Sequence, residues 1–346
     1  MLLAIFGAGA TYDSCSSFLP GTIPSSQLDF IRPPLAEELF KARPAFRELM
    51  KQYPKCFDVL PRIEKPPANS TVEHELEKLQ ASGDYEVPRQ LASIRFYLRD
   101  IIWDCVGKWM EETRGASNYK ALLNYIRAAN IAANTLLVTF NYDLMLEDAL
   151  QHQGKKIQSI GEYVGSPYRT IKLHGSVHWA HRVSASFDAG EIANLNGTEI
   201  AQALIRNWNS HIVQSEIFEV LDPLASRKEE GRVFVPALAI PTETKRSFEC
   251  PAEHIDLLTR CLPKVTHIMV IGWAANERNF LELLHRNLNG APRFVIVSGS
   301  NKDGKEVEQK IKNAGIPFNA RSYTVAQGGF SDFVREGAAE FLEEPI

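Results

Sequence analysis

The sequence contains little cysteine, and its cysteines are poorly placed for cross-links or for metal binding. Disulfide frameworks and cysteine-type zinc sites both need cysteines in paired, closely spaced sets. Neither is expected here, and each cysteine is predicted to be a small buried apolar side chain. The 346 residues include five cysteines, an odd number, and no C-x-x-C pair: Cys15, Cys56, Cys105, Cys250 and Cys261.

The sequence also has no excess of either charge and no long apolar run. Lysine and arginine total 38 against 42 aspartate and glutamate residues, so the net charge of -4 offers no basic footprint for a nucleic-acid backbone. The first apolar run stops at Phe6 without a basic leader or a cleavage site, and no later run is long enough to cross a bilayer. These absences predict a cytoplasmic protein with no membrane partner, and they leave nucleic-acid binding without support but not excluded.

An ordinary apolar content of 45% is enough to bury the core of one large domain or of two smaller ones. Short apolar segments alternate with helical patterns, which is typical of parallel strands covered by helices. We predict an α/β fold with a doubly wound, mostly parallel, Rossmann-like sheet. Its strands are predicted at residues 1–6, 134–139, 170–173, 232–235, 267–271 and 293–298.

Three regions interrupt this alternation. Residues 33–130 are almost wholly helical, with the strongest amphipathic pattern over Val87–Glu112, and form either a helical insertion or cap, or helices that simply cover one face of the sheet. Residues 181–231 are polar and irregular, with one helix over Ala201–His211, and form a small lobe or a long excursion. Residues 12–32, rich in Ser, Pro and Gly, are a long loop of the kind that is usually functional or mobile.

Glycine and short polar residues follow the predicted strands at the point where each strand ends. In an open parallel sheet, the carboxyl ends of the strands meet at one edge, where ligands bind. A glycine turn there lets backbone N–H groups approach a phosphate. We therefore predict a nucleotide site built from Gly7–Gly9, Phe140–Asp143, His174–Ser176, Gly272–Glu277 and Ser298–Ser300.

Each of these features also has a simpler interpretation. The glycines could serve an ordinary tight turn, and Asn141 and Asp143 could cap the helix that begins near Leu144. His174 could be a hydrogen-bonded histidine at a sheet edge. Together with His178 and His181 it raises the idea of a metal cluster, but no carboxylate or cysteine stands at a suitable spacing, so no metal site is expected.

Taken in order, these motifs resemble the signatures of the sirtuin-type NAD-binding fold. The resemblance spans nearly the whole chain, so residues 1–346 are expected to form one sirtuin-like domain, with the helical block where that family places its variable insertion. The segment Gly175–Glu249 contains no cysteine, so the zinc module of protein-deacylating sirtuins is missing. The chain instead resembles the bacterial sirtuin-like group that hydrolyses NAD in anti-phage defence. The motifs that resemble the sirtuin-type fold are Gly7–Thr11, Thr139–Asp143, Lys172–Ser176 and Gly272–Glu277, and those that resemble the NAD-hydrolysing group are Arg32–Leu35, Phe140–Asp143 and His174–Trp179.

The resemblance implies NAD as the substrate, and nicotinamide and ADP-ribose as products, with some cyclised product left open. Cleavage of the nicotinamide–ribose bond passes through an oxocarbenium-like state and needs orientation and a base rather than a metal. Asp143 is expected to accept the carboxamide N–H, Asn141 to hold a ribose hydroxyl or water, and His174 to act as the base. The expected binding residues are Gly7, Ala8 and Gly9 at the pyrophosphate, Gly272, Asn276 and Ser298 on the adenosine side, and Thr11, Asn141 and Asp143.

Two other functions remain open at this point. One is an NAD or ADP-ribose sensor or scaffold subunit without turnover, and the other, disfavoured by the missing zinc cysteines, is an NAD-dependent deacylase. By analogy with the family, a homo-oligomer is expected, with a companion such as a HerA-type ATPase or a short Argonaute. The loop over residues 12–32 is a candidate gate whose ordering on assembly switches the site on.

Overall fold

The first strand of the predicted sheet forms because its residues are apolar on both faces. In the computed structural model, which describes residues 1–14, 32–67, 70–184, 194–208, 213–221, 228–229, 232–242, 248–325 and 329–343, every residue of the first strand is buried. The strands within those ranges are β1 (Leu2–Phe6), β2 (Thr135–Thr139), β3 (Arg169–Lys172), β4 (Gly175–Ser184), β5 (Val213–Val220), β6 (Lys228–Glu229), β7 (Arg232–Leu238), β8 (His267–Ile271), β9 (Arg293–Val297) and β10 (Tyr323–Val325).

The chain divides into two compact units. The first comprises Met1–Pro33, Val106–His174 and Thr244–Ile346, and the second comprises Pro34–Cys105 and Gly175–Glu243. Nearly all of the predicted loop over residues 12–32 and parts of 181–231 lie outside the described residues.

The first unit is built on a six-stranded sheet in the order β3-β2-β1-β8-β9-β10, in which all neighbouring strands are parallel. Counted along the chain, this is the Rossmann order 3-2-1-4-5-6, in which the direction of winding reverses beside the first strand. The prediction of a doubly wound α/β sheet is therefore confirmed. The helices of this unit are Ala8–Tyr12, Asn118–Ala128, Met145–His152, Ile160–Val164, Ala252–Cys261, Arg278–Asn287, Asn301–Asn313, Gly329–Asp332 and Ala338–Glu343, with single turns at Ala132–Asn134, Leu262–Lys264 and Phe333–Gly337.

The second unit contains an antiparallel sheet that the sequence did not predict. Its order is β5-β4-β7-β6, so the strand predicted at residues 232–235 belongs here and not to the parallel sheet. An apolar run of four residues carries no information about its partner strand, which explains this error. The described helices of this unit are Pro44–Met50, Leu60–Ile63, Val72–Ala81 and Gly197–Asn207, with single turns at Ala36–Glu38 and Pro54–Cys56. The helix Val87–Glu112 belongs to the second unit up to Cys105 and to the first unit from Val106.

The region predicted as irregular contains strand β5 and a capped helix. β5 lies at the edge of its sheet, carries glutamates, and exposes 70% of Ile217, so it lacks the apolar alternation that identifies a half-buried strand. The helix predicted at Ala201–His211 begins earlier, at Gly197, because the Asn196 side chain accepts hydrogen bonds from two backbone N–H groups of the first turn.

Most of the described cysteines are buried. Cys56, Cys105 and Cys261 are buried as predicted, Cys250 is half-buried, and Cys15 lies outside the described residues. Burial raises the pKa of Cys56 to about 12, so that this thiol is held in its unreactive form. Among the described residues, no helix combines the length and the apolar character that crossing a membrane requires.

Close backbone packing joins the turns that follow β1 and β8, where the winding reverses. Gly7 N donates to Ile271 O, and Gly9 N donates to Gly272 O, each at 3.0 Å. Gly272 has a φ of +60°, and a Cβ atom there would lie 2.2 Å from Ala10 N. Only glycine satisfies both the backbone angle and the space at this position.

The outer edge of β3 is covered by the segment that contains Glu249 and His254. Glu249 N donates to Leu173 O at 3.0 Å, and Lys172 N donates to His254 Nδ1 at 3.3 Å. His254 is fully buried, and this burial lowers its pKa to about 4. The His254 imidazole that covers the edge of β3 is therefore neutral, so that its Nδ1 atom can accept the hydrogen bond from Lys172 N.

Replacing Gly272 with alanine is expected to lower the free energy of unfolding by about 2–5 kcal/mol, the sum of a left-handed backbone cost and of overpacking. Gly299→Ala is the matched control, since a Cβ atom there meets no atom within 4 Å, and its effect is expected to stay within about 0.5 kcal/mol. Urea unfolding followed by circular dichroism measures both, and equal effects of the two variants would contradict the packing described.

Acidification is expected to destabilise the first unit through His254. Its pKa is about 4 in the folded protein and 6.5 as the ordinary value, so between these values only the unfolded chain binds the proton. The free energy of unfolding therefore falls as the pH drops from 6.5 to 4 and is unaffected by this group above that window. Between pH 7 and pH 5 the loss is about 2 kcal/mol.

The variant His254→Gln, which keeps an acceptor for Lys172 N, is expected to lack this loss. Urea unfolding of the wild type and the variant at pH 7 and pH 5 measures it, with the exposed His285→Gln as the control. A wild type and a His254→Gln protein that lose the same stability on acidification would show that His254 does not carry the effect.

Candidate active site

Thr11 and Asn141 form the centre of a buried hydrogen-bond network at the carboxyl ends of β1 and β2. The Asn141 Nδ2 group donates to Gly7 O at 2.9 Å, and lies 3.0 Å from Thr11 Oγ1 and 3.1 Å from Tyr119 Oη. The carbonyl acceptor on Gly7 fixes which side of the amide carries the nitrogen. None of the hydrogen bonds among the described residues is donated to Asn141 Oδ1, so this oxygen is the group available to a ligand hydroxyl or to water.

Asp143 is buried beside this pair, and both of its carboxylate oxygens accept hydrogen bonds. Thr11 Oγ1 donates to Oδ2 at 2.8 Å, and Met145 N donates to Oδ1 at 2.9 Å. Burial raises the pKa of Asp143, and the Lys172 ammonium opposes this rise. Asp143 therefore holds the first backbone N–H of the helix Met145–His152, whose N-cap position is Leu144, and also fixes Thr11.

Tyr119 completes the network from the helix Asn118–Ala128. Its hydroxyl lies 2.9 Å from Thr11 Oγ1, and because the single Thr11 proton is donated to Asp143, Tyr119 is the donor in this bond. Burial, assisted by the negative charge of Asp143, raises the pKa of Tyr119 well above its usual range. The phenol therefore stays protonated and holds the Thr11 hydroxyl in one orientation.

A buried ion pair lies beneath the network. The Lys172 ammonium, at the end of β3, donates to the Asp143 carbonyl oxygen at 2.6 Å and to Glu147 Oε1 at 2.8 Å. The Tyr163 hydroxyl also donates to Glu147 Oε1, at 2.7 Å. These bonds tie the end of β3 to the turn that carries Asn141 and Asp143.

His174 lies among aromatic rings and next to a carboxylate. Its ring centroid is 4.9 Å from that of Phe140 and 6.1 Å from that of Tyr142, and the side chain is almost completely buried. Its Nε2 atom is 3.7 Å from Glu277 Oε1, in the turn after β8. Since Phe140 directly precedes Asn141, the imidazole and the amide belong to neighbouring strand ends.

The structure brings together some of the predicted binding residues and leaves others apart. Gly7, Gly9 and Gly272 pack backbone against backbone, and the N–H groups of Gly7 and Gly9 donate to carbonyl groups of the protein. Ala8 is exposed at the first position of the short helix Ala8–Tyr12. A pyrophosphate contact from these residues stays a prediction.

The two remaining predicted residues make their side-chain hydrogen bonds outside the network. Asn276 is exposed, and its Oδ1 atom accepts from the Lys310 ammonium at 2.7 Å. The Ser298 hydroxyl donates to Ser300 O at 2.8 Å, within the turn that precedes the helix Asn301–Asn313. Their contact with the adenosine side of a nucleotide also stays a prediction.

The histidines that follow His174 have their own partners in the second unit. His178 Nδ1 lies 3.1 Å from Ser176 Oγ, and His181 Nδ1 lies 3.2 Å from Ile217 O. Within the described ranges, no three His, Cys, Asp or Glu side chains are grouped so that they could hold a metal ion.

Four residues of the site were assigned no role from the sequence. Tyr119 and Glu147 look like ordinary members of amphipathic helices, and nothing in their spacing marks them. Lys172 does carry a signal, because a lysine inside a buried strand needs a partner for its charge. Glu277 stands in a predicted strand-end turn, but its contact with His174 joins the ends of β8 and β3, which are not neighbours in the sheet, so strand position does not reveal it.

No protein-family model matches the sequence, and no curated protein matches it. Among solved structures, the chain is similar to Sir2Tm bound to a propionylated peptide, with 11% identity, a TM-score of 0.38, and coverage of 98% of this chain and 92% of that one. A structure on sirtuin substrate affinity has 11% identity and a TM-score of 0.37, covering 98% and 93%.

A third similar structure is an ADP-ribose complex of a Sir2 homologue variant, with 13% identity, a TM-score of 0.33, and coverage of 91% of each chain. The chain is thus similar to sirtuin structures over most of its length, at identities and TM-scores too low to assign an activity.

Proposed function

We propose that the protein is an NAD glycohydrolase. The observation that carries the proposal is the placement of Asn141 and His174 at the ends of neighbouring strands, beside the glycine turns where the sheet reverses its winding. That reversal point is where open α/β sheets bind nucleotides. The sequence resemblance to NAD-hydrolysing sirtuin-like proteins supports the choice of substrate.

The proposed reaction breaks the bond between ribose C1′ and the nicotinamide nitrogen, and the electron pair leaves with the nicotinamide, which becomes neutral. A water oxygen forms the new bond to C1′, and its proton passes to the His174 imidazole. Asn141 Oδ1 accepts a hydrogen bond from a ribose hydroxyl or from this water. Asp143 fixes the Thr11 hydroxyl and, because each of its oxygens accepts only one protein hydrogen bond, has acceptor capacity left for the carboxamide N–H. The products are nicotinamide and ADP-ribose.

A second candidate is binding of NAD or ADP-ribose without turnover. It is favoured by the same hydrogen bonds, since the Asn141 amino group and the Asp143 carboxylate both make hydrogen bonds within the protein. Binding of ADP-ribose measured by calorimetry, with no nicotinamide release under any condition, would select this candidate over hydrolysis.

The proposed biological role is that of an effector of anti-phage defence, supported by the resemblance of the sequence. An enzyme that depletes NAD needs restraint, so we propose a homo-oligomer and a regulatory partner of the ATPase or Argonaute type. Nicotinamide release measured in cells during a phage challenge, for the wild type and a His174 variant, tests this role.

Asn141→Ala and His174→Ala are each expected to lower nicotinamide release from NAD at least about 100-fold. A positioned base such as His174 typically contributes that much, and Asn141 holds the ribose hydroxyl or the water that reacts. Chromatography of the products measures the rate, and circular dichroism checks that each variant is folded. Asn313→Ala and His285→Ala, at exposed positions, are matched controls and are expected to keep wild-type rates. Full activity in both site variants would reject the hydrolase assignment.

A further inference from the structure

The Glu277 carboxylate is held in a fixed position next to His174. Its Oε2 atom accepts a hydrogen bond from Trp273 Nε1 at 2.5 Å, which leaves Oε1 facing His174 Nε2 at 3.7 Å. The Trp273 ring stacks on Phe140 with a centroid distance of 5.3 Å and an interplanar angle of 7°. The group that orients Glu277 is therefore itself fixed by packing.

Phe140, on which Trp273 stacks, also packs against the imidazole, and little of the His174–Glu277 pair is exposed to solvent. Phe140 contacts both His174 and Trp273, and the Phe280 ring meets Phe140 edge-on at 5.1 Å. The side chains of His174 and Glu277 are 4% and 17% exposed. Opposite charges that lie this close with little solvent between them are screened far less than on the surface.

We propose that Glu277 is the positioning residue of His174: it orients the imidazole and stabilises the imidazolium that forms when His174 takes a proton. This inference rests on the proposed hydrolysis, in which His174 is the base. The distance of 3.7 Å is longer than a hydrogen bond, so in the resting protein the contact is electrostatic. A carboxylate at this range favours the protonated form of histidine.

Two other titratable groups of the first unit stand near His174 among the described residues. Tyr142 follows β2, with its ring centroid 6.1 Å away, and Glu249 forms an isolated backbone bridge with His174. Glu249 is therefore an alternative source of negative charge, and the experiment separates it from Glu277.

The test is a pH titration of the His174 imidazole by NMR in the full-length protein labelled on histidine nitrogen. The signal is assigned from its absence in His174→Gln. Glu277→Gln is expected to lower the pKa of His174 by about 1 unit, whereas Glu249→Gln shifts it less. Glu282→Gln, on the same helix but exposed and paired with Arg286, is the matched control and is expected to leave it unchanged.

The kinetic test is the pH dependence of nicotinamide release by the same proteins. In Glu277→Gln the acidic limb of the pH profile of kcat is expected to move to lower pH by as much as the pKa of His174 falls. The plateau value of kcat is expected to fall about tenfold, while KM changes less than about twofold. Glu277→Asp is expected to restore part of both. If Glu277 only started the helix Arg278–Asn287, replacing it would not move the acidic limb of the pH profile.

The possible outcomes separate this inference from the proposed function. An unchanged pKa of His174 in Glu277→Gln, or a larger shift in Glu249→Gln, overturns the role of Glu277 whether or not NAD is cleaved. A lowered pKa in a protein that releases no nicotinamide overturns the hydrolase role and retains the His174–Glu277 pair. A lowered pKa together with a shifted limb supports both.

Discussion

Close contact between the backbones of the turns after β1 and β8 is the constraint on which the first unit depends. A side chain at Gly7 or Gly272 would occupy the space of the opposite turn. Because the two turns pack so closely, the short helix Ala8–Tyr12 begins directly at the end of β1 and carries Thr11 to Asn141. The Gly7 carbonyl that accepts from Asn141 belongs to the same turn, so the geometry of the glycines determines the orientation of the candidate site.

The polar groups behind the site stabilise one arrangement because they satisfy one another. Thr11 links Tyr119 to Asp143, and the Lys172 ammonium joins the Asp143 backbone to Glu147. Buried charges and hydroxyls are costly without partners, so a connected network of this kind has few alternative conformations. The His174 side chain has a different environment, made of aromatic rings and one carboxylate. The candidate site thus combines a rigid hydrogen-bonded part with a part suited to a change of charge.

Some elements were predictable and others were not, for reasons that particular residues show. β1, β2, β8 and β9 are apolar on both faces, and such runs are recognisable without their neighbours. β5 escaped prediction because an edge strand with polar and exposed residues has no distinctive pattern, and β7 was assigned to the wrong sheet because partner choice is not encoded locally. Asn276 and Ser298 stand after strands as predicted, but their side chains bond to Lys310 and Ser300, which strand position alone does not reveal.

The α/β class and the strand ends at which polar residues gather were predictable from the sequence, and local patterns there were also enough to propose Asn141, Asp143 and His174 as candidate site residues. These follow from local patterns, because burial of both strand faces and the turn preferences of glycine act over a few residues. That Tyr119, Lys172 and Glu277 join them became visible only in the folded protein. Their contacts span 22, 29 and 103 positions of the chain, and contacts at such separations depend on strand order and packing, which no local pattern contains.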